Sequence, residues 1–163
     1  MPVTPEPPAQ ELIARFALQP HPEGGWYREW HRSPLNVTRA DGGVRSGLTT
    51  ILFLLEARQI SRWHRVQGAD EAWQFLDGSA LELFCLPPEG GAPLRRVLNA
   101  PLRDQAAEPM AVAPAGWWQA ARSLGAWSLV SCAVGPGFDF DDFSLLRDLP
   151  VECHPPGATA TLL

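Results

Sequence analysis

The sequence contains no lysine: all thirteen of its basic residues are arginine. That removes Schiff-base chemistry at a lysine amine. Tyrosine is nearly as scarce, with Tyr27 the sole example, so any phenolic acid or base must be that one residue. Clustered basic segments are missing and the net charge is −5, which argues against a nucleic-acid surface. No apolar run reaches membrane length and no signal peptide is evident. The three cysteines, Cys85, Cys132 and Cys153, are odd in number and lack metal-ligand spacing. Reduced thiols in a cytoplasmic protein are the expectation. No internal repeat is visible. A length of 163 residues suits one domain able to bury a core.

What is present is a series of short strand-like segments separated by glycine, proline and polar turns. The segments Trp26 to His31, Ser46 to Leu55, Gln59 to Val66, Glu71 to Leu76 and Leu81 to Leu86 read as strands. So do Leu94 to Asn99, Met110 to Ala113, Trp118 to Arg122 and Ala126 to Val134. Leu12, Ile13 and Phe16 have helical spacing, and 141–147 suits one or two helical turns. Ser33 to Val44 reads as a polar loop. Residues 1–10 and 150–163 read as flexible tails around a single domain at 11–149. Many short strands at regular spacing predict an all-β, double-sheet jelly roll with short terminal helices.

The stretch Ser61 to Gly78 organises this pattern. Alternation on a strand sends His64 and Val66 to one face. Across the turn Gln67-Gly68-Ala69-Asp70, Glu71 begins the returning strand, where its carboxylate could face His64. A buried carboxylate beside a histidine is costly without a partner or a use. Trp73 and Phe75 share the Glu71 face and are expected to line the same cavity, with Phe138 beside them. In the first strand, alternation sets Tyr27 opposite Arg28, so one of the two faces the pocket unless a bulge intervenes. Arg28 is the expected anion-binding group, with Tyr27 as the candidate proton donor.

His64, Glu71 and Gly78 resemble the first signature of the cupin superfamily, His-x-His-x4-Glu-x6-Gly, with Val66 in place of the second histidine. Pro114, Gly116, Gln119 and Ser123 resemble the second, Pro-x-Gly-x2-His-x3-Asn, with Gln119 for histidine and Ser123 for asparagine. The stretches His21-Pro-Glu-Gly-Gly-Trp-Tyr-Arg-Glu29, Pro114-Ala-Gly-Trp-Trp-Gln-Ala-Ala121 and Pro136-Gly-Phe-Asp-Phe-Asp-Asp-Phe143 are similar to a small cupin family of about this length whose biochemical role is undefined.

The resemblance implies a cupin barrel, a homodimer and a small-molecule pocket containing His64, Glu71 and Gln119. The expected activity is metal-independent isomerisation or epimerisation of a small polar, sugar-like or anionic substrate. In that reading His64 is the base, Glu71 its orienter, and Arg28 and Gln119 are substrate contacts. No cofactor is expected. Two alternatives stay open: a binding module without turnover, and a metal-dependent enzyme holding a divalent ion on the incomplete set His64, Glu71 and Gln119. His21 beside Glu23 could be catalytic. A Pro-Glu-Gly-Gly turn more often uses its polar side chains to tie its own backbone. Asp139, Asp141 and Asp142 read as a solvated turn and helix cap rather than a metal cluster.

Overall fold

The computed structural model describes residues 8–163. The expected tail at 1–10 therefore falls mostly outside the described residues. Ala9 and Gln10 belong to the helix α1, Ala9–Arg15. Thirteen strands follow in chain order: β1 (Gln19–Pro20), β2 (Trp26–Arg32), β3 (Asn36–Thr38), β4 (Val44–Ser46), β5 (Thr49–Glu56), β6 (Ile60–Val66) and β7 (Asp70–Gly78). The remainder are β8 (Leu81–Leu86), β9 (Leu94–Leu98), β10 (Met110–Ala113), β11 (Trp118–Ser123), β12 (Trp127–Gly135) and β13 (Phe143–Leu145). They form a six-stranded sheet in the order β1-β2-β5-β12-β7-β10 and a five-stranded sheet in the order β13-β6-β11-β8-β9. The two sheets face each other as a jelly roll, which is the all-β architecture expected.

Three layers of packing follow from the strand alternation. Inside the roll, Phe53, Leu55, Trp73, Leu81, Leu83, Leu98 and Val130 form one apolar cluster. Outside the six-stranded sheet, α1 covers Leu54, Trp127 and Leu129 with Leu12 and Ile13. Outside the five-stranded sheet, Trp63, Leu86 and Trp118 pack against Leu146 and Leu162. Gly78 ends β7 with φ of 89°, a conformation that favours glycine. A Cβ there would strike the Trp127 ring and backbone.

Four stretches differ from the sequence expectation. The loop expected from Ser33 to Val44 contains the β3–β4 hairpin. The helical segment expected at 141–147 is instead a 3₁₀ turn, the strand β13 and a second 3₁₀ turn. β13 forms because Phe143 and Leu145 pair with Val66 and His64 on the open edge of β6. Residues 150–163 are a packed strap of 3₁₀ turns rather than a tail: Leu162 is buried, and the Trp63 indole donates to the Thr159 carbonyl at 3.2 Å. Finally, Asp142 is not solvated. It is buried and accepts from Arg45 at 2.7 and 2.8 Å and from Arg39 at 3.0 Å, pinning the hairpin region to the turn before β13.

Candidate functional site

The interior of the roll is packed at one end and hollow at the other. Phe53 and Trp73, both wholly buried, meet edge-to-face at 5.8 Å and close off the hollow end. What remains is a cavity of about 470 Å³, within the size range of small-molecule sites.

The turn between β1 and β2 supplies the polar floor. The Gly24 amide donates to the His21 carbonyl, and the His21 amide donates to the Gly25 carbonyl. Gly24 has φ of 109° and lies against the Ile60 carbonyl, where no side chain fits. The Arg62 amide donates to the Glu23 carbonyl at 2.8 Å, fastening the turn to β6. The fastened turn drives the Glu23 side chain into the sheet. Its Oε1 accepts from the Ser61 hydroxyl at 2.8 Å, and its Oε2 lies 3.1 Å from His64 Nε2.

The His64 tautomer follows from its other nitrogen. Nδ1 lies 2.7 Å from the Arg62 carbonyl, which can only accept, so Nδ1 carries a proton. The Nε2–Oε2 line then holds one further proton. Burial drives Glu23 well above the ordinary carboxyl range, and the nearby Glu71 charge adds to the rise. Burial lowers His64 to about 4. The proton therefore rests on Glu23, which donates to a neutral His64.

His21 stands beside this pair. Its Nδ1 accepts the Glu23 backbone amide at 3.2 Å, leaving the 3.5 Å approach of Glu23 Oε2 as a contact without a hydrogen bond. Burial, and then proximity to His64, lower it to about 3. It is neutral with its proton on Nε2, which has no protein partner among the described residues.

Glu71 forms the second polar group. Its Oε2 accepts from the Gln119 amide at 2.6 Å, and Gln119 Oε1 accepts from the Trp73 indole at 2.7 Å. Burial raises Glu71 to about 7, against the opposing hydrogen bonds from Gln119 and the Cys132 thiol.

His64, Glu71, Tyr27 and Phe138 all line the cavity, as do Val66 and Cys132. Several expected placements differ. The partner of His64 is Glu23, not Glu71. Gln119 sits behind Glu71 rather than on the cavity wall. Trp73 and Phe75 belong to the packed half. Arg28 shares the outer face with Trp26, donates to the Phe16 carbonyl and lies over Trp30. The guanidinium at the cavity is Arg32, brought there by a β-bulge between Glu29 and His31. His31 is exposed, and His154 Nε2 bonds the Leu149 carbonyl away from the site.

Sequence reasoning weighed His21 and Glu23 and preferred a role in tying their own turn, which His21 Nδ1 also fills by accepting the Glu23 amide; it missed Arg32 and Cys132. Only His21 and Glu23 carried a signal: paired glycines behind a His-Pro-Glu sequence permit the φ values that turn both side chains inward.

A cupin barrel implies a divalent metal, and the donor set here does not fit one. His64 has both nitrogens engaged, the Gln119 oxygen is held by Trp73, and Val66 offers no donor. Among the described residues no three His, Cys, Asp or Glu side chains form a metal-holding group.

A two-sheet jelly roll with a half-hollow interior and a polar floor defines a cupin-type pocket. The chain belongs to the cupin superfamily, in the family described as DUF985, whose model matches residues 10–146. A hypothetical protein from Leishmania major is 29% identical over 96% of this chain and 97% of its own, with a TM-score of 0.80. A protein from Shewanella oneidensis is 33% identical over 86% of this chain and 85% of its own, with a TM-score of 0.76. The capsular polysaccharide assembling protein CapF from Staphylococcus aureus is 12% identical, covering 79% of this chain and 33% of its own at a TM-score of 0.59, a likeness of fold alone. Among curated proteins, none matches the chain.

Proposed function

We propose that this cupin is a metal-independent isomerase or epimerase acting on a small hydroxy-carbonyl compound. The observation that carries the reading is the 3.1 Å approach of Glu23 Oε2 to His64 Nε2 on the cavity floor, with Glu71 lining the same cavity and raised by burial to about 7. A loaded acid and a titrating base in one cavity are the parts needed for enolisation.

The roles differ from the sequence expectation, in which His64 was the base. Glu71 as carboxylate takes the proton from the carbon beside the carbonyl. Glu23 gives its proton to the carbonyl oxygen, and the carbon–hydrogen electron pair becomes the carbon–carbon double bond of an enol. Return of the proton from Glu71 to the former carbonyl carbon, while the neighbouring hydroxyl gives its hydrogen to Glu23, yields the isomer with both carboxyls restored. Protonation of the same carbon from the other face by a second donor yields the epimer, and Glu71 and that donor then reset by exchange with solvent. His64 positions Glu23 through the Nε2–Oε2 contact. The Tyr27 hydroxyl, which has no protein partner among the described residues, is a second donor on the same cavity.

The test is solvent hydrogen exchange. Aldoses and ketoses are incubated with the protein in deuterium oxide and carbon-bound deuterium is read by NMR. Exchange is expected with the native protein, reduced by about 10²–10⁴ in Glu23→Gln or Glu71→Gln. Binding without exchange for every compound overturns the catalytic reading in favour of a binding module.

A further inference from the structure

The charges around the cavity carry information about its ligand. Deep in the site the proton arrangement leaves Glu23, His64 and His21 uncharged. At the opening lie Glu29, Arg32 and Asp139. Among the described residues Arg32 is the one arginine lining this cavity; its Nε and Nη2 donate to Glu29 Oε1 at 3.1 and 2.6 Å and Nη2 also to the Phe138 carbonyl at 3.1 Å, while Nη1 is not engaged. Asp139 accepts from the Asp141 backbone amide and, among the described residues, forms no salt bridge, although its charge reaches Arg45. With Glu71 part-ionised, the lining carries more negative than positive charge. An anionic ligand reaching Arg32 Nη1 would lie beside Glu29, in a cavity that Asp139 and Glu71 also line. Like charges placed together in this way weaken binding.

The uncharged features point the same way. The His21 ring and the Tyr27 side chain line the cavity, with His21 Nε2 and the Tyr27 hydroxyl unpartnered among the described residues. Phe138, Phe140 and Phe143 form one wall, packed edge-to-face at 4.9 to 5.9 Å. Such a wall takes the carbon–hydrogen face of a ring, while the two donors take its oxygens.

We infer that the cavity selects an uncharged polyhydroxylated ligand, a neutral sugar or its open-chain form, and rejects sugar phosphates and uronates. This rests on the cavity assignment made for the isomerase reading and adds the charge class of the substrate. It replaces the anionic option and the Arg28 anion site expected from the sequence.

Ligand-observed NMR on the full chain tests it, with D-xylose, D-fructose and D-glucose as neutral probes and D-glucuronate and glucose phosphate as charged ones. At least one neutral probe binds, and the charged probes bind about tenfold or more weakly. Tyr27→Phe weakens the neutral probe, placing it in the cavity. Glu29→Gln removes one anion at the opening and loosens Arg32, so the charged probes gain relative to the neutral probe measured on the same variant. The inference is overturned by charged probes binding the native protein as tightly as neutral ones, by Glu29→Gln bringing no gain, or by no neutral probe binding at tens of millimolar. The two readings fail separately. A neutral sugar that binds without exchanging hydrogen removes the isomerase and leaves the charge selection. A uronate that binds and exchanges does the reverse.

Discussion

The two ends of the barrel are built from the same strands and do opposite things. β5 gives Ile51 to the cavity and Phe53 and Leu55 to the packed half. β7 gives Glu71 to the cavity and Trp73 and Phe75 to the packing. β12 divides in the same way, with Cys132 and Val134 at one end and Val130 at the other. Strand alternation decides only which residues point inward. The change of character along each inward row decides where the barrel is filled and where it is left open. Stability and chemistry are therefore separated along the strands rather than between them, and substitutions two residues apart should report on different properties.

The largest effect is expected at the junction. Trp73→Ala removes the plug and leaves Gln119 Oε1 without its donor, costing about 3–5 kcal/mol. Urea unfolding should show a lowered midpoint with an unchanged slope. A loss below about 1 kcal/mol would mean that the two ends are not mechanically distinct.

Glu71→Gln comes next and acts in the opposite direction. The Glu71 pKa is raised from 4.5 to about 7 in the folded state. Its stabilising contribution is thus complete below pH 4.5 and lost as pH rises through about 7. Above that range the native protein bears a cost of about 3 kcal/mol that the amide does not. Glu71→Gln should melt higher than the native protein near pH 8 and lose that advantage near pH 5. His64 and His21 have the reverse sign, since their folded values lie below 6.5: their contribution is complete above pH 6.5 and fades as pH falls toward 4. Near pH 8 both are neutral whether folded or not, so the comparison isolates the carboxyl.

A smaller effect belongs to the outer wall. Asp142→Asn loses the charge that holds Arg45 and Arg39, costing about 1–2 kcal/mol. Amide hydrogen exchange should quicken in β3 and β4 while the packed half is unaffected. The smallest change in stability is expected in the cavity. Tyr27→Phe should leave unfolding within about 0.5 kcal/mol of native and lower ligand affinity by a factor of roughly 3 to 10, the worth of one hydrogen bond.

Most of the strand framework was legible because period-two alternation and glycine turns are local signals. The inward set of β6 and β7, with His64 and Glu71, followed from them; the expectation that Gln119 lies near His64 came instead from the resemblance to the second cupin signature, and β11 does pair beside β6 with Gln119 opposite His64. The pairings that give the site its chemistry were not legible. Glu23 comes from a turn more than forty positions before Glu71, and only the fastening of that turn to β6 aims it at His64. Arg32 replaces His31 because one bulged residue breaks the alternation, and nothing around Trp30 announces the bulge. The closing strap at 150–163 was hidden because its anchors are few and spaced among prolines, so their burial depends on the Trp63 surface they meet.

The Trp73–Gln119–Glu71 chain has a sense of direction. An indole nitrogen can only give a hydrogen, so it dictates which end of the Gln119 amide faces it. The nitrogen end must then point to Glu71, where Oε2 can only receive. When Glu71 is neutral its acid hydrogen is consequently confined to Oε1, because a hydrogen on Oε2 would collide with the amide at 2.6 Å. A tryptophan in the packed half thereby chooses which oxygen of Glu71 carries the hydrogen, much as a ratchet tooth sets the turning sense of a wheel it does not drive.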